Sequence, residues 1–362
     1  MPSQVDEFNS GLIPAVVNVN PDGTYATATR RWQGIPSIEI AANGRLWAVW
    51  YSGGDTEGPD NYVVLVTSDD DGQTWSTPRV VIDPPGKVRA YDPALWHDPL
   101  GRLWLSWAQS YDWYDGRAGV WAICTSESGN ENSQWSLPRR LANGIMMNKP
   151  TFLSTGEWLL PTAVWAHMPE KMRDELHDEC HSNVTCSKDQ GVSWTLLGGA
   201  DVPERQFDEH MVVERNDGSL WMLVRTATGI GESVSFDRGR TWEKSPGTVI
   251  AGPNSRFFIR RLQSGKLLLV NHYQFTGRNN LTAMLSDDDG ASWYGHLMLD
   301  ERNDVSYPDG AQASDGRIYL IYDHSRYGDK EILMASVTED DIAAGKIINP
   351  ASRLRVLVNK VG

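Results

Sequence analysis

The stretch Ser68-Asp69-Asp70-Asp71-Gly72-Gln73-Thr74-Trp75 decides the fold, because the chain repeats it with little change. The pattern Ser-x-Asp-x-Gly-x-Ser/Thr-Trp returns at Ser187–Trp194, Ser235–Trp242 and Ser286–Trp293, and a degenerate copy covers Ser126–Trp135. In this pattern the Asp side chain can accept hydrogen bonds from the backbone of its own turn, while Gly supplies a left-handed position. The repeated phrase therefore predicts a turn that holds a recurring structural unit together.

A short apolar strand that is opened by a glycine turn also recurs along the chain. Its copies are Gly44–Trp47, Gly101–Trp104, Gly156–Leu159, Gly218–Trp221, Gly265–Leu268 and Gly316–Tyr319. Roughly 50 residues separate one copy from the next, a period that is typical of propellers and solenoids. The order of the apolar runs predicts four antiparallel strands in each repeat, with the Asp phrase between the third and the fourth.

The repeats together predict an all-β protein, a six-bladed β-propeller of four-stranded antiparallel blades with Asp-box turns. We expect one domain over residues 1–362. An N-terminal strand is expected to complete the last blade, because radial closure protects the edges of the sheets.

The composition restricts the partners that the protein can bind. The net charge is −14 and the sequence pI is about 5.0, so nucleic acid and anionic membranes are poor partners. An anionic substrate needs a local basic pocket within this acidic field. Cys124, Cys180 and Cys186 lack metal-ligand spacing, and we predict no metal and no cofactor. The N-terminus shows no charged region followed by an apolar run, which favours a cytoplasmic location.

The direction of the strands predicts where functional side chains gather. Because neighbouring strands are antiparallel, each first strand starts and each second strand ends on the same face of the ring. The first strands start at Gly34, Asp92, Lys149, Glu209, Arg256 and Tyr307, and the second strands end at Ser52, Gln109, Trp165, Arg225, His272 and Asp323. Loops on that face add Asp55, Glu57, Asp60, Arg278 and Arg326. The mouth of the central axis is therefore the expected binding site.

These features resemble the sialidase (neuraminidase) superfamily of Asp-box, or BNR-repeat, six-bladed propellers, over nearly the whole chain. Sialidases place a Glu before an apolar strand and an Arg at the end of the next strand, as in Glu209-His210-Met211-Val212-Val213 and Trp221-Met222-Leu223-Val224-Arg225. A further Arg precedes a later Asp phrase and is matched by Arg278. A Tyr opens the last blade of the family, as in Ser306-Tyr307-Pro308-Asp309-Gly310.

The resemblance implies a retaining, exo-acting glycoside hydrolase that removes a terminal sialic acid or a related acidic sugar from a glycan. Tyr307 would be the nucleophile, because a carboxylate nucleophile would be repelled by the carboxylate of the substrate. Glu209 would be the base that withdraws the tyrosine proton. Arg225 and Arg278 would clamp the carboxylate or the hydroxyl groups of the sugar.

The family's Arg-Ile-Pro at the start of the first blade reads Gly34-Ile35-Pro36 in this chain. This departure leaves the identity of the sugar open, with Arg30 and Arg31 as candidates to reach in from upstream. Lys149 and Arg256 match no family residue and are expected to carry the specificity of this chain. The other predicted substrate-binding residues are Asp92, Asp55, Glu57, Trp165, His210 and His272.

The resemblance places the acid/base of the reaction in the loop after the second strand of the first blade, which reads Gly53–Asn61. Asp60 is the first choice, Asp55 the second, and Glu57 a competitor. The longest segment outside the repeats, Pro169–His181, is expected on the same face, where it would wall the pocket and restrict the enzyme to chain ends.

Each assignment has a purely structural alternative. The two arginines would then be salt-bridge partners of surface acids, Glu209 would cap a strand, and Tyr307 would be a packing aromatic. His177 and His181 are four residues apart and compatible with a metal site, but no third ligand accompanies them.

Two other functions remain open at this point. The first is an enzyme on rhamnose–uronate ends, either a lyase or a rhamnosidase, with Tyr307, His210 or His272 as the base. The second is a non-catalytic glycan-binding propeller.

Overall fold

A computed structural model describes residues 7–165 and 168–362 of the chain, and these residues form six antiparallel sheets. The first sheet contains β1 (Val17–Val19), β2 (Gln33–Ile40), β3 (Leu46–Ser52), β4 (Tyr62–Ser68) and β5 (Val80–Ile82). The second contains β6 (Val88–His97), β7 (Leu103–Tyr111), β8 (Gly119–Thr125) and β9 (Arg139–Asn143). The third contains β10 (Thr151–Phe152), β11 (Trp158–Ala163), β12 (Ser182–Ser187) and β13 (Thr195–Ala200).

The remaining sheets repeat the same pattern of four consecutive strands. The fourth contains β14 (Met211–Glu214), β15 (Leu220–Thr226), β16 (Gly229–Ser235) and β17 (Gly247–Ala251). The fifth contains β18 (Phe258–Arg261), β19 (Leu267–His272), β20 (Leu281–Ser286) and β21 (Tyr294–Asp300). The sixth contains β22 (Val305–Gln312), β23 (Ile318–His324), β24 (Glu331–Val337) and β25 (Arg353–Lys360). The predicted six-bladed propeller is confirmed.

Helical structure is scarce in the part of the chain that the structure describes. One short helix, α1 (Glu339–Ala344), precedes the last strand. The 3-10 helices are Glu7–Leu12, Gly23–Tyr25, Thr27–Thr29, Pro169–Lys171 and Asp174–Glu179. Over residues 7–165 and 168–362, no helix is both long and apolar enough to cross a membrane.

The repeated Asp phrase forms the turn that its residues predict. Asp70 accepts hydrogen bonds from the backbone N–H of Thr74 at 2.9 Å and from the Thr74 hydroxyl at 2.6 Å. These bonds from Thr74 lower the pKa of Asp70 to about 2. Gly72 adopts a left-handed φ of 75° and donates its N–H to Ser68 Oγ at 2.9 Å. The phrase is thus a self-contained network that joins the third strand of a blade to the fourth.

Tryptophans fill the space within and between the blades. The indole N–H of Trp47 in the first blade donates to the Ser128 carbonyl oxygen in the second blade at 2.7 Å. Trp96 and Trp104 stack with ring centroids 4.7 Å apart. Each fully buried aromatic contributes about 1.5–3 kcal/mol relative to an exposed one. Tryptophan therefore acts mainly in the packing of the blades, as the sequence predicts.

The closure of the ring differs from the expectation that an N-terminal strand completes the last blade. β25 supplies the fourth strand of that blade and pairs antiparallel with β24, while β1 pairs with β5 at the outer edge of the first blade. The last repeat carries its own fourth strand, so it leaves no place for another. The first and last blades meet through side chains instead, since Ser37 Oγ donates to Asp309 Oδ2 at 2.6 Å and the N–H of Ile38 donates to the same oxygen at 3.0 Å.

Candidate active site

A cavity of about 160 Å³ lies where the innermost strands converge. Its lining residues are Ile35, Tyr51, Glu57, Arg89, Tyr91, Asp92, Trp113, Met147, Trp165, Phe207, Glu209, Arg225, Arg278 and Tyr307. Seven of these had been singled out from the sequence: Glu57, Asp92, Trp165, Glu209, Arg225, Arg278 and Tyr307. The strand directions thus bring side chains from separate blades to one place.

Five residues of the cavity wall share an unusual backbone conformation. Ile35, Asp92, Phe207, Glu209 and Tyr307 have φ values of 58°, 47°, 58°, 42° and 54°, although none of them is a glycine. The residues from β2, β6 and β22 lie where the strand register shifts, at a β-bulge before a proline. A bulge redirects a side chain, and backbone strain of this kind, which costs of the order of 1–3 kcal/mol per residue, concentrates at functional sites. The bulges place these side chains on the cavity.

Arg225 joins Glu209 to Tyr307. Its Nη1 atom lies 2.5 Å from Glu209 Oε1 and 3.4 Å from the Tyr307 hydroxyl oxygen. All three side chains are buried, and Glu209 Oε2 has no hydrogen-bond partner among the described residues. A carboxylate oxygen is therefore free to accept a proton, on a side chain that shares the Arg225 guanidinium with the phenol.

The groups around Tyr307 shift the pKa of its phenol in opposite directions. Burial and the Glu209 carboxylate raise the pKa of the phenol, whereas Arg225, Arg326 and Arg278 act to lower it. Because the pKa stays above its usual value, the phenol is protonated at neutral pH. Its use as a nucleophile requires a base, and Glu209 is placed to supply one.

Arg225 and Arg278 are held on one side of the cavity by Asn254, a residue that sequence reasoning missed. Arg225 Nε donates to Asn254 Oδ1 at 2.7 Å, and Arg278 Nη2 donates to the Asn254 carbonyl oxygen at 2.8 Å. The Arg278 guanidinium carbon lies 5.4 Å from the centre of the Tyr307 ring. Asn254 stands two residues before Arg256, at the predicted start of a first strand, and strand direction could have found it there.

Asp92 is a buried carboxyl group on the same cavity, with only 3% of its surface exposed. Burial raises its pKa to about 8, with Arg89 acting against the rise and Glu57 and Glu209 adding to it. The group is therefore largely protonated at neutral pH and can donate a hydrogen bond. Arg89, which sequence reasoning missed, lies three residues earlier on β6.

Aromatic side chains form another wall of the cavity. The Trp165 ring lies 6.0 Å from Trp113 and 5.1 Å from Phe207, measured between centroids. Arg89 stacks on Tyr91 at 3.9 Å and donates to the Trp113 carbonyl oxygen at 3.1 Å. Trp113 lies in the loop after β7, which strand direction places on the active face. Aromatic faces of this kind suit the apolar side of a sugar ring.

The loop Gly53–Asn61 brings Glu57, rather than Asp60 or Asp55, to the cavity. The buried Asn61 side chain ties the loop back on itself by donating to the Gly53 carbonyl oxygen at 2.8 Å. Asp60 and Asp55 are exposed, and Asp55 pairs with Arg31 at 2.8 Å. The placement of Asp60 thus does not support the first choice from the sequence, because the closed loop carries that side chain to the surface.

Lys149 and Arg256, which were expected to bind substrate, lie in the hub and do not line this cavity. Lys149 Nζ donates to the Ile38 carbonyl oxygen at 2.7 Å and lies 3.2 Å from Asp309 Oδ2. Arg256 is fully buried, and its Nη2 atom lies 3.4 Å from Asp309 Oδ1. Their charges are used to join blades.

His210 and His272 are also buried outside the cavity lining. The Nε2 atom of His210 lies 2.6 Å from the Asn183 carbonyl oxygen, and Nδ1 of His272 lies 2.7 Å from the Asn279 carbonyl oxygen. Burial lowers the pKa of each to about 4, so both rings are neutral at pH 7. Their placement does not support a role as the base of a lyase.

The segment Pro169–His181 does not line the cavity in the part of the chain that the structure describes. It packs beside the loop after β7, where Arg173 Nε donates to the Asp115 carbonyl oxygen at 2.8 Å. His177 is exposed and lies beside Asp178. Among the described residues, no group of three or more His, Cys, Asp or Glu side chains could hold a metal ion.

Comparison with known proteins identifies related sequences and folds. Residues 44–320 match the model of the BNR repeat-like domain family. A sialidase from Paraclostridium sordellii is 27% identical over 267 residues, which cover 67% of this chain and 63% of that protein. The chain therefore spans less than two thirds of the length of this relative.

Solved structures share the fold at lower sequence identity. The NanB sialidase from Streptococcus pneumoniae superposes with a TM-score of 0.67 at 14% identity, over 91% of this chain and 71% of that one. An α-L-arabinanase from Penicillium chrysogenum superposes with a TM-score of 0.60 at 15% identity, over 90% of this chain and 98% of that one. At these identities the likeness concerns the fold alone.

Proposed function

Because the chain belongs to the BNR repeat-like domain family, in the sialidase superfamily of six-bladed propellers, we propose that it is an exo-acting glycosidase for a terminal acidic sugar. The observation that carries the proposal is the contact of Arg225 with both Glu209 and Tyr307 inside a buried cavity. A phenol and a carboxylate that both contact one guanidinium group are suited to act as a nucleophile and its base. The sialidases among its relatives favour sialic acid as the sugar.

The proposed reaction has two steps and retains the anomeric configuration. Arg225 and Arg278 hold the sugar carboxylate while Tyr307 attacks the anomeric carbon and Glu209 accepts the phenolic proton. Glu57 protonates the departing glycosidic oxygen, in the role for which Asp60 was the first choice. In the second step Glu57 takes a proton from water, the water oxygen attacks the anomeric carbon, and Glu209 returns the proton to the departing Tyr307 oxygen.

A fluorogenic aryl sialoside tests this proposal. We expect the wild-type protein to release the fluorophore and Tyr307→Phe or Glu209→Gln to lower kcat by a factor of about 10³ or more, because nucleophile and base act as a unit. The matched control is Tyr273→Phe, which changes an exposed tyrosine outside the cavity lining. A cooperative thermal unfolding transition is the check that each variant is folded. Full activity of folded Tyr307→Phe would refute the tyrosyl intermediate.

Gly34 gives weight to a second candidate, an enzyme on rhamnose–uronate ends, because the first family arginine is missing at this position. The same two arginines would bind the uronate carboxylate. A lyase would generate an unsaturated product that absorbs ultraviolet light, whereas a hydrolase would not. Binding of oligosaccharides without turnover would instead indicate a non-catalytic propeller.

A further inference from the structure

Gly34 leaves a space that another side chain fills. The backbone at this position is not left-handed, so its conformation does not require a glycine. A Cβ atom at residue 34 would lie 2.3 Å from Cδ and 2.9 Å from Cγ of Arg326. Any larger residue at position 34 would therefore displace Arg326 from its place.

Arg326 comes from the loop after β23 in the last blade and reaches the nucleophile. Its guanidinium carbon lies 4.7 Å from the centre of the Tyr307 ring, closer than that of Arg278. The side chain is 11% exposed, with Nη1 at 2.7 Å from Glu57 Oε1 and Nε at 3.5 Å from Asp323 Oδ2. Three guanidinium groups thus surround Tyr307.

Arg30 and Arg31, the upstream candidates for the missing cation, are engaged elsewhere. Arg30 Nη2 donates to Thr27 Oγ1 at 2.9 Å and to Asn359 Oδ1 at 3.0 Å. Arg31 is exposed and paired with the exposed Asp55.

We propose that Arg326, entering from the last blade through the space that Gly34 leaves, is the third arginine beside Tyr307 and binds the carboxylate of the sugar. This inference rests on the proposed acidic substrate. The Glu57 carboxylate, which lines the cavity, accepts a hydrogen bond from the guanidinium of Arg326. When the substrate binds, its carboxylate takes the place of Glu57 and contacts Arg326, Arg225 and Arg278. The released Glu57 carboxylate takes up a proton from solvent and donates it to the glycosidic oxygen.

Binding titrations with N-acetylneuraminic acid and with its methyl ester test the assignment without relying on turnover. Arg326→Met is expected to weaken binding of the acid about 10-fold or more, because a charge-assisted pair is lost, and to leave binding of the ester unchanged. Arg31→Met is the matched control, since it removes an exposed arginine near the same loop. The double variant Gly34→Arg with Arg326→Gly supplies the guanidinium from residue 34 instead of residue 326. It is expected to recover part of the affinity for the acid.

The results separate this inference from the proposed function. If folded Arg326→Met binds the acid as tightly as wild type, or loses acid and ester equally, the role of Arg326 is refuted and the glycosidase proposal stands. Wild-type protein that binds neither probe would refute this inference and sialic acid as the sugar. If Arg326→Met does not fold, the double variant decides: a folded double variant that prefers the ester over the acid contradicts the shared position of the two arginines.

Discussion

Asp92 differs from an exposed aspartate because the folded chain removes it from water. Burial stabilises the uncharged acid and raises its pKa to about 8, while the neighbouring Arg89 only partly offsets this effect. The sequence placed Asp92 on the active face among other polar residues. Its protonation depends on how deeply the packed blades enclose it, which no local pattern expresses.

The raised pKa of Asp92 makes stability depend on pH. The folded state binds the proton more tightly than the unfolded state, so this group favours folding below pH 4 and loses that contribution as the pH rises toward about 8. The loss amounts to at most about 1.4 kcal/mol per pH unit within that window. Asp92→Asn is expected to remove this slope. Urea unfolding between pH 5 and 8 measures it, with the exposed Asp60→Asn as control, and parallel slopes for Asp92→Asn and wild type would contradict the assignment.

The Asp-phrase turn depends on bonds within a single short element. Ser68, the last residue of β4, is buried, donates to Asp70 Oδ1 at 2.8 Å and accepts the N–H of Gly72 at 2.9 Å. The same pair of bonds recurs in the turn of the third blade, where Ser187 donates to Asp189 at 2.8 Å. Because every partner lies within a few residues, the sequence alone predicts this turn.

Loss of the Ser68 hydroxyl would leave the buried N–H of Gly72 without its acceptor. We expect Ser68→Ala to reduce the free energy of unfolding by about 1–3 kcal/mol, the cost of an unsatisfied buried donor. Ser126→Ala is the control, since it changes an exposed serine in the degenerate copy of the phrase. Equal unfolding midpoints in urea for the two variants would show that the turn adds no stability.

The ring as a whole is joined at its hub by four polar side chains. Asp309 from the last blade lies beside Lys149 and Arg256, while Asn148 donates to the Glu209 carbonyl oxygen at 2.7 Å. Lys149 also donates to the Leu95 carbonyl oxygen, so that the network reaches all six blades. Sequence reasoning assigned both cations to the substrate. Strand direction predicts the face of the ring on which a side chain lies, but it does not predict how deeply that side chain is buried.

Removal of the Asp309 carboxylate would take the buried anion from Arg256 and leave Lys149 with Glu39 alone, 3.5 Å away. We expect Asp309→Ala to reduce the free energy of unfolding by about 3–5 kcal/mol, as breaking a buried ion pair usually does. Asp55→Ala removes an exposed carboxylate paired with Arg31 and is expected to cost less than about 1 kcal/mol. Calorimetry on both variants measures the difference. Similar unfolding temperatures would mean that the hub contributes little to closure.

The sequence by itself determined the blades, their number and the face on which functional side chains gather, because hydrogen bonds within a turn and strand alternation depend on nearby residues. It also indicated Tyr307, Glu209, Arg225 and Arg278, which strand direction carries to one cavity. Only the tertiary structure decided how the ring closes, that Glu57 faces the cavity, and that Arg326 fills the space beside Gly34. These features depend on contacts between residues that are distant in the chain, such as Ser37 and Asp309, 272 positions apart, and such contacts form only when the blades pack.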